Sequence, residues 1–289
     1  MTDPLLLLLQ GGLGNQLLQL VLGESLAQVL GRRLMGSTVL MESRSRRFRR
    51  VTHRDVSPLV RQRLPLGPVP WHRHLAPRLA ARLGDPLGMG LLTDRVLVEA
   101  ARGSSLLEGL DGVRVVHSHA THPGVFGAEF TSSWQATLEA LGPYGRGDPP
   151  EVAVHVRRSD YLNPRSGFVL LGEPYYRAAL GRALALVATG DAGPIPVHVF
   201  SDDPAWCRSH LQDRRWRLRI SEGTPEEDLA AMAAARVLIT GNSSLSAIAG
   251  HLAQLREPRT PVLTPGQWLL REDGRLGNLR KADWQVVVP

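Results

Sequence analysis

Polar and charged side chains follow three apolar runs of the sequence, and their types suit the binding of an anion. The clusters contain His155, Arg157, Arg158 and Asp160, then Ser201, Asp202 and Asp203, then Gly241, Asn242, Ser243, Ser244 and Ser246. Guanidinium groups bind phosphate oxygens in bidentate fashion and stay charged at any working pH. Serines that open a helix add donors where the helix dipole favours an anion. A carboxylate at a neighbouring strand end can accept hydrogen bonds from the N–H groups of guanine or from a ribose hydroxyl. Together, the clusters predict a nucleoside diphosphate site.

Each cluster also has an ordinary structural interpretation. Arg158 and Asp160 could form a solvated ion pair. Asp202 precedes a proline and could cap a helix, while Ser243 and Ser244 are common residues of a first helical turn. One cluster alone leaves both interpretations open, whereas three clusters in register favour a binding site.

Predicted strands and helices alternate from residue 151 onward. The strands contain EVAVHVR, IPVHVFSDD, RWRLRI, RVLITG and TPVLTP, and the helices contain EPYYRAALGRALALVA, PAWCRSHL, EEDLAAMAAA and SSLSAIAGHLAQL. This alternation predicts an α/β fold with parallel βαβ units, in which ligands bind at the carboxyl ends of the strands. The three clusters would therefore meet at one edge of the sheet.

The first part of the chain begins with a predicted strand over Leu5–Leu9, a turn GGLGNQ and a helix that ends at Gly31. Residues 44–103 predict loops and short helices with little strand. A helix over 132–141 precedes the linker GPYGRGDPPE, which predicts a boundary between domains 1–148 and 149–289. The turn GGLGNQ is a weak motif: it is either a simple tight turn or a ligand contact through Asn15 and Gln16.

The composition of the chain argues against nucleic-acid binding and bears on the expected location of the protein. The net charge is +7 with a pI near 10.5, but Lys281 is the only lysine among 34 basic residues, which indicates coding bias more than phosphate binding. With 5% aromatic residues, a base-stacking surface and a nucleic-acid partner are not expected. The single cysteine, Cys207, forms no internal disulfide, so a reducing, cytoplasmic location is expected.

Three further features receive ordinary interpretations. The apolar run Leu5–Leu9 is too short for a membrane helix. The basic run Arg44–Arg54 predicts a solvated surface, with peripheral contact to anionic lipid at the inner membrane face as a minority hypothesis. His117, His119 and His122 lack a carboxylate or cysteine that would complete a metal site, so loop or core histidines are favoured and no metal is expected.

Several segments, in their order and spacing, resemble the bacterial alpha-1,2-fucosyltransferase family. They are GGLGNQLLQLVLGESLA, HVRRSDY with YYRAAL, VHVFSDDPAWCRSHL, EEDLAAM and ITGNSSLSAIAGHL. The resemblance covers the first thirty residues and most of the second half. It implies a GT-B-like architecture, with two Rossmann-like domains facing a cleft and a parallel sheet in the C-terminal domain. It also implies inverting transfer of L-fucose from GDP-fucose to a glycan hydroxyl, such as a galactoside 2-OH, without a metal or other cofactor.

The resemblance also implies roles for particular residues. Arg157 would bind the β-phosphate, and Ser243 and Ser244 would contact the diphosphate. His155, Asp202 and Asp203 would face the nucleoside. Arg158 and Asn242 would also bind the GDP-sugar. Gly14, Asn15 and Gln16 would border the acceptor cleft. The general base is open between Asp160, which could instead orient an arginine, and acidic residues of the middle segment.

The sequence departs from the family pattern at two places. Ala247 and Ile248 replace an aromatic pair, and Ser159 replaces a glycine. Two alternative functions follow: a transferase of the same fold that uses another GDP-sugar, and a non-catalytic nucleotide-sugar-binding protein.

Overall fold

A computed structural model describes residues 3–41, 55–67, 90–100, 105–143, 148–188, 193–271 and 278–288. These residues form two compact units: unit 1 contains the described residues of Met1–Ala140, and unit 2 contains those of Leu141–Glu272 and Asn278–Pro289. The division falls a few residues before the predicted boundary at 148. The basic run Arg44–Arg54 lies outside the described residues. None of the helices in the described ranges combines the length and apolar character needed to cross a bilayer.

Unit 1 contains a parallel sheet of four described strands. The strands are β1 (Leu5–Leu8), β2 (Leu34–Ser37), β3 (Leu91–Thr93) and β4 (Val115–His117), in the order β2-β1-β4-β3. The helices of this part of the chain are α1 (Leu13–Val29), α2 (Pro58–Arg61), α3 (Asp94–Ala100) and α4 (Thr131–Leu141), with 3-10 turns over Pro123–Phe126 and Ala128–Phe130. The predicted first strand and first helix are confirmed, and Gly31 after α1 has a φ of +61°, as a helix-ending glycine should.

Unit 2 contains six described strands, all paired in parallel. They are β5 (Val152–Val156), β6 (Ile195–Ser201), β7 (Trp216–Ile220), β8 (Val237–Ile239), β9 (Val262–Pro265) and β10 (Gln285–Val287). The connecting helices are α5 (Glu173–Val187), α6 (Pro204–His210), α7 (Pro225–Ala234) and α8 (Ser244–Arg256), with a 3-10 turn over Pro164–Ser166. The predicted α/β class and alternation are confirmed, and β10 is an additional strand that the sequence analysis did not predict.

The strand order of unit 2 determines where a ligand can bind. The order is β10-β9-β8-β5-β6-β7, so that counting from β5 the sheet reads 3-2-1-4-5-6, the doubly wound arrangement of dinucleotide-binding folds. Successive strands are added on one side of β5 up to β7 and then on its other side from β8, so the switch point lies between β5 and β8. In such sheets, ligands bind in the crevice at the carboxyl ends of the two strands on either side of this switch point.

One part of the core of unit 2 packs α5 against the sheet. Every residue of β5 is buried, which is expected for a central parallel strand covered on both faces. Val152, Val154 and Val156 alternate along β5 and share one apolar cluster with Tyr175 and Tyr176 of α5. The strand that carries the first polar cluster is therefore held rigidly up to its last residue.

The positions of the replaced aromatic pair lie inside unit 2. The side chains of Ala247 and Ile248 are fully buried in α8. On the same helix, Gly250 leaves room for the indole of Trp284, which is nearly buried and donates a 2.9 Å hydrogen bond to Oε1 of Gln254. The departure from the family pattern is thus a change of core packing.

Replacement of Gly250 by alanine should destabilise the protein. The new methyl group would lie 2.9 and 3.1 Å from ring carbons of Trp284 and 3.1 Å from a methyl of Val262, and such overpacking costs about 1–3 kcal/mol. Gly181 in α5 is the matched control, since a Cβ there meets no atom within 4 Å and alanine should stabilise the helix by ~0.5–1 kcal/mol. Urea unfolding of both variants measures the two effects, and equal shifts would contradict the packing argument.

Candidate active site at the switch point of unit 2

The loops after β5, β6 and β8 meet at one edge of the sheet of unit 2. Val156 pairs with Ser201 of β6, and Val154 pairs with Ile239 of β8, so the three strands end nearly level. A backbone N–H of the first loop, that of Arg158, donates a 2.9 Å hydrogen bond to Asp202 in the second loop. The structure therefore brings together the three clusters that the sequence analysis singled out.

Asp202 joins the first two loops. Its carboxylate accepts from the backbone N–H groups of Arg158, at 2.9 Å, and Ser159, at 3.2 Å, and lies 3.1 Å from Nη1 of Arg157. Burial raises the pKa of Asp202, but the hydrogen bond with Ser159 and the charge of Arg157 outweigh this effect and lower the pKa below its ordinary value. Asp202 is therefore an ionised side chain that fixes the loop after β5.

Arg157 is held by two carboxylates and keeps part of its guanidinium group accessible. Nε donates a 2.8 Å hydrogen bond to Oδ1 of Asp160, and Nη1 forms the ion pair with Asp202. Burial lowers the pKa of Arg157, but the neighbouring Asp202 and Asp160 raise it above its ordinary value. The side chain is 27% exposed, and Nη2 forms no hydrogen bond with any described residue. Arg157 is thus a permanent, oriented cation with a donor left for a ligand.

Arg158 points into the protein and has a different role. Its Nε donates to Oδ2 of Asp203 at 3.2 Å, and its guanidinium carbon lies 4.1 Å from the ring centroid of Trp206. The other oxygen of Asp203 accepts from the backbone N–H of Trp206 at 3.1 Å and caps α6. The charged groups of Arg158 and Asp203 therefore contribute to the packing of unit 2, and the ligand contacts that the resemblance implies for them stay predictions.

Asn242 shapes the third loop, and Ser243 begins α8. The amide nitrogen of Asn242 donates to the carbonyl oxygens of Val169, at 2.7 Å, and Trp268, at 2.9 Å. Ser243 is the N-cap residue of α8, but its hydroxyl does not accept a capping hydrogen bond. Ser243 and Ser244 are partly exposed at this 13-residue helix's N-terminus, where an anion is electrostatically favoured.

His155 lies beneath this edge. Its side chain is buried, and Nδ1 has no hydrogen-bond partner among the described residues. A Cβ at Gly241 would lie 3.2 Å from the carbonyl oxygen of His155 and 3.3 Å from Nδ1, so a side chain there would crowd His155. Burial, reinforced by the charge of Arg157, lowers the pKa of His155 to about 4. The imidazole is therefore neutral at physiological pH and packs under the site.

Two tyrosines to which the sequence analysis gave no role donate to backbone carbonyl oxygens at, and just before, the third cluster. The hydroxyl of Tyr161 donates to the carbonyl oxygen of Asn242 at 2.9 Å, and that of Tyr175 donates to Thr240 at 2.6 Å. The ring of Tyr161 also stacks on Phe168 with centroids 4.4 Å apart. The signal was present in the sequence, since Tyr161 belongs to HVRRSDY, but only the fold shows what its hydroxyl reaches.

The residues that the resemblance places near an acceptor lie in unit 1. Gly14 and Gln16 are buried in the first turn of α1, and Asn15 is partly exposed. The amide of Gln16 donates to the carbonyl oxygens of Gly11 and Asp55, and its Oε1 accepts from the N–H of Ser57. Gln16 therefore ties the segment around residues 55–57 to α1, and its polar atoms are used within unit 1.

The stability of the protein should fall as the pH is lowered from about 6.5 to about 4. The folded-state pKa of His155, about 4, lies below the ordinary value of 6.5, so the unfolded state binds the additional proton in this window. The contribution is complete above pH 6.5 and is lost towards pH 4, with a total on the order of 3 kcal/mol at about 1.4 kcal/mol per pH unit.

Urea unfolding at a series of pH values tests this expectation. His155→Gln should flatten the pH dependence, while the slope due to His251, whose pKa burial lowers to about 3, should remain in both proteins. Parallel curves for wild type and variant would show that His155 is not the titrating group.

Comparison with known proteins bears on the same part of the chain. Residues 140–256 match the model of glycosyl transferase family 11. This segment contains HVRRSDY, FSDD and GNSSLS, the three motifs at the switch point. No curated protein matches the chain.

Several solved structures show a distant likeness. The NodZ alpha-1,6-fucosyltransferase from Bradyrhizobium, co-crystallised with GDP, is 14% identical with a TM-score of 0.46, over 86% of this chain and 92% of the other. The E. coli heptosyltransferase WaaC with ADP is 15% identical with a TM-score of 0.43, over 98% and 92%. A mutant of Arabidopsis thaliana FUT1 in complex with GDP is 9% identical with a TM-score of 0.46, over 91% and 70%. All three scores are below 0.5, so these likenesses do not define the function of this chain. The family match, in contrast, bears out the resemblance noted from the sequence over residues 140–256, the part of the chain that forms the candidate site.

Proposed function

We propose that this protein is an inverting glycosyltransferase that transfers L-fucose from GDP-fucose to a hydroxyl of a glycan, with a galactoside 2-OH as the expected acceptor group. The observation that carries the proposal is the position of Arg157. This oriented cation, with Nη2 available, lies at the carboxyl edge of β5, and the N-terminus of α8 follows the neighbouring strand β8. The family 11 match over residues 140–256 and the sequence resemblance support the choice of reaction and donor.

The proposed reaction breaks the bond between the anomeric carbon and the diphosphate, so negative charge grows on the departing GDP. Positive groups that are already in place stabilise such a charge without reorganisation during the reaction. Arg157 is such a group, because Asp160 and Asp202 hold its Nε and Nη1. The donors at the start of α8 add to the same field. With these groups as the phosphate ligands, we expect the transfer to need no divalent metal.

Asp160 fits a positioning role in this scheme. Its side chain is 60% exposed, and its Oδ1 is hydrogen-bonded to Nε of Arg157. An arriving diphosphate would compete with this exposed carboxylate more easily than with Asp202, which is also fixed by two backbone N–H groups. We therefore assign Asp160 to the orientation of Arg157 before the donor binds.

Arg157→Ala should lower the rate of fucosyl transfer by about 100-fold or more, because one preorganised donor to the leaving diphosphate is lost. Arg157→Lys should also be poor, since a lysine cannot replace the planar fork held by two carboxylates. The measurement is GDP release from GDP-fucose with a panel of galactosides, in the presence of EDTA. Arg165→Ala is the matched control, an exposed arginine of the same loop, and should keep wild-type activity. Near wild-type turnover by Arg157→Ala would refute the assignment.

GDP should raise the melting temperature of the protein, whereas UDP should not, because a ligand that binds only the folded state stabilises it by mass action. The shift should shrink in Arg157→Ala and persist in Arg165→Ala. GDP stabilisation without transfer from any GDP-sugar would support a non-catalytic binder, and transfer from a GDP-sugar other than GDP-fucose would change the donor. Equal stabilisation by GDP and UDP would contradict the proposed donor class.

A further inference from the structure

A half-buried aromatic ring, that of Phe168, lies in the loop between β5 and α5 of unit 2. It stacks flat on the ring of Tyr161, with the centroids 4.4 Å apart and an angle of 1° between the two planes. Tyr161 is only 7% exposed, so its ring is a buried support for the ring of Phe168. The stacked pair is therefore a rigid apolar surface in the loop that follows the charged end of β5.

The stack is connected to the groups that are proposed to bind the diphosphate. Tyr161 directly follows Asp160, whose carboxylate accepts a hydrogen bond from Arg157. Burial raises the pKa of the Tyr161 phenol, and the neighbouring charge of Arg157 acts against this effect. The hydroxyl of Tyr161 donates to the carbonyl oxygen of Asn242, the residue before the N-cap of α8. Tyr161 therefore joins the loop of Arg157 to the segment that leads into α8.

Hydrogen bonds with the segment after β9 hold the backbone that carries Phe168. Phe168 forms an antiparallel bridge with Leu269, and the N–H of Val169 donates to the carbonyl oxygen of Trp268 at 3.0 Å. The amide nitrogen of Asn242 donates to the carbonyl oxygens of Val169 and Trp268. The ring of Phe168 is thus positioned by unit 2 itself, before a ligand binds.

The side chains of residues 168–171 alternate between the surface and the interior. Val169 and Leu171 pack in the apolar cluster of unit 2, whereas Phe168 is half-buried and Leu170 is 41% exposed. Successive side chains of an extended segment point to opposite sides. Phe168 therefore lies on the outer side of this segment, where a ligand can reach its ring.

The strand order indicates which end of a GDP-sugar would meet this ring. The neighbouring strands run β9-β8-β5-β6 across the sheet. Asp202, which the sequence resemblance assigns to the nucleoside, follows β6, and Arg157 follows β5. The start of α8 follows β8, and the segment bridged to Phe168 follows β9. A donor whose diphosphate lies at Arg157 and α8 would direct its nucleoside towards β6 and its sugar towards β9.

We infer that Phe168, supported by Tyr161, contacts the sugar of the donor and favours a 6-deoxy sugar, an inference that rests on the proposed function. The C–H groups of a pyranose face and the methyl group of L-fucose are apolar, and their burial against an aromatic ring is favourable. L-Galactose differs from L-fucose by a hydroxyl at C6, which would lose hydrogen bonds to water against the same ring. Phe168 is thus a specificity-determining residue and takes no part in bond making or breaking.

Melting-temperature shifts test this contact without catalysis, because a ligand that binds the folded state stabilises it. In Phe168→Ala, the Kd for GDP-fucose should rise about tenfold and the shift by GDP-fucose should shrink, while the shift by GDP stays as in wild type. Phe168→Tyr keeps the ring and should keep both shifts. Leu186→Ala is the control, since it removes an exposed apolar side chain near the C-terminal end of α5. If Phe168→Ala weakens GDP and GDP-fucose equally, the ring does not contact the sugar.

Donor selectivity tests the preference for a 6-deoxy sugar. Wild type should bind and use GDP-L-fucose better than GDP-L-galactose, and Phe168→Ala should reduce this preference by raising KM for GDP-L-fucose with little change in kcat. If wild type transfers fucose and Phe168→Ala has the same KM and the same preference, the sugar contact is wrong and the proposed function stands. If wild type transfers a sugar from neither donor, the proposed function fails and the inference fails with it.

Discussion

The carboxylate of Asp202 is the interaction on which the arrangement in unit 2 depends. It receives two backbone N–H groups from the loop after β5 and faces the guanidinium of Arg157. Without it, the loop after the fully buried strand β5 would lose acceptors for two backbone N–H groups, and Asp160 alone would hold the guanidinium of Arg157. Because Asp202 follows β6, it fixes the conformation of the loop after β5. The polar groups of this loop are thereby paired above the apolar sheet. The cost of partly burying these charges is offset because every one of them has a partner.

The different roles of Arg157 and Arg158 explain what the sequence could and could not predict. Alternating strands and helices, and polar residues after each strand, were enough to predict the sheet of unit 2 and the meeting of three clusters. Neighbouring residues at a strand end point in opposite directions, and which of the two arginines would turn inward depended on a partner about 45 residues away, Asp203, and on the ring of Trp206. No local pattern contains that information.

Unit 1 was harder to predict for a related reason. Its strands β2 and β3 have only four and three residues, so they give little periodic signal. Unit 1 also depends on contacts distant in sequence, such as the hydrogen bonds of Gln16 with Asp55 and Ser57. The hydrogen bond between Asp94 and His119 is similar: 25 residues separate the two, and only the neighbouring positions of β3 and β4 bring them together. A histidine that looked like an ordinary loop residue acquires a chemical partner through topology.

The hydroxyl groups of Tyr161 and Tyr175 have a consequence for the crevice at the switch point. They donate, as neutral groups, to the carbonyl oxygens of Asn242 and Thr240, which follow β8. Burial raises the pKa of both phenols, so neither ionises in any physiological setting. These two hydrogen bonds therefore do not change with pH in the physiological range, in contrast to His155 beneath the same edge, which takes up a proton near pH 4. Added salt would screen the charged groups of Arg157 and Asp202, while these neutral hydrogen bonds carry no net charge to be screened.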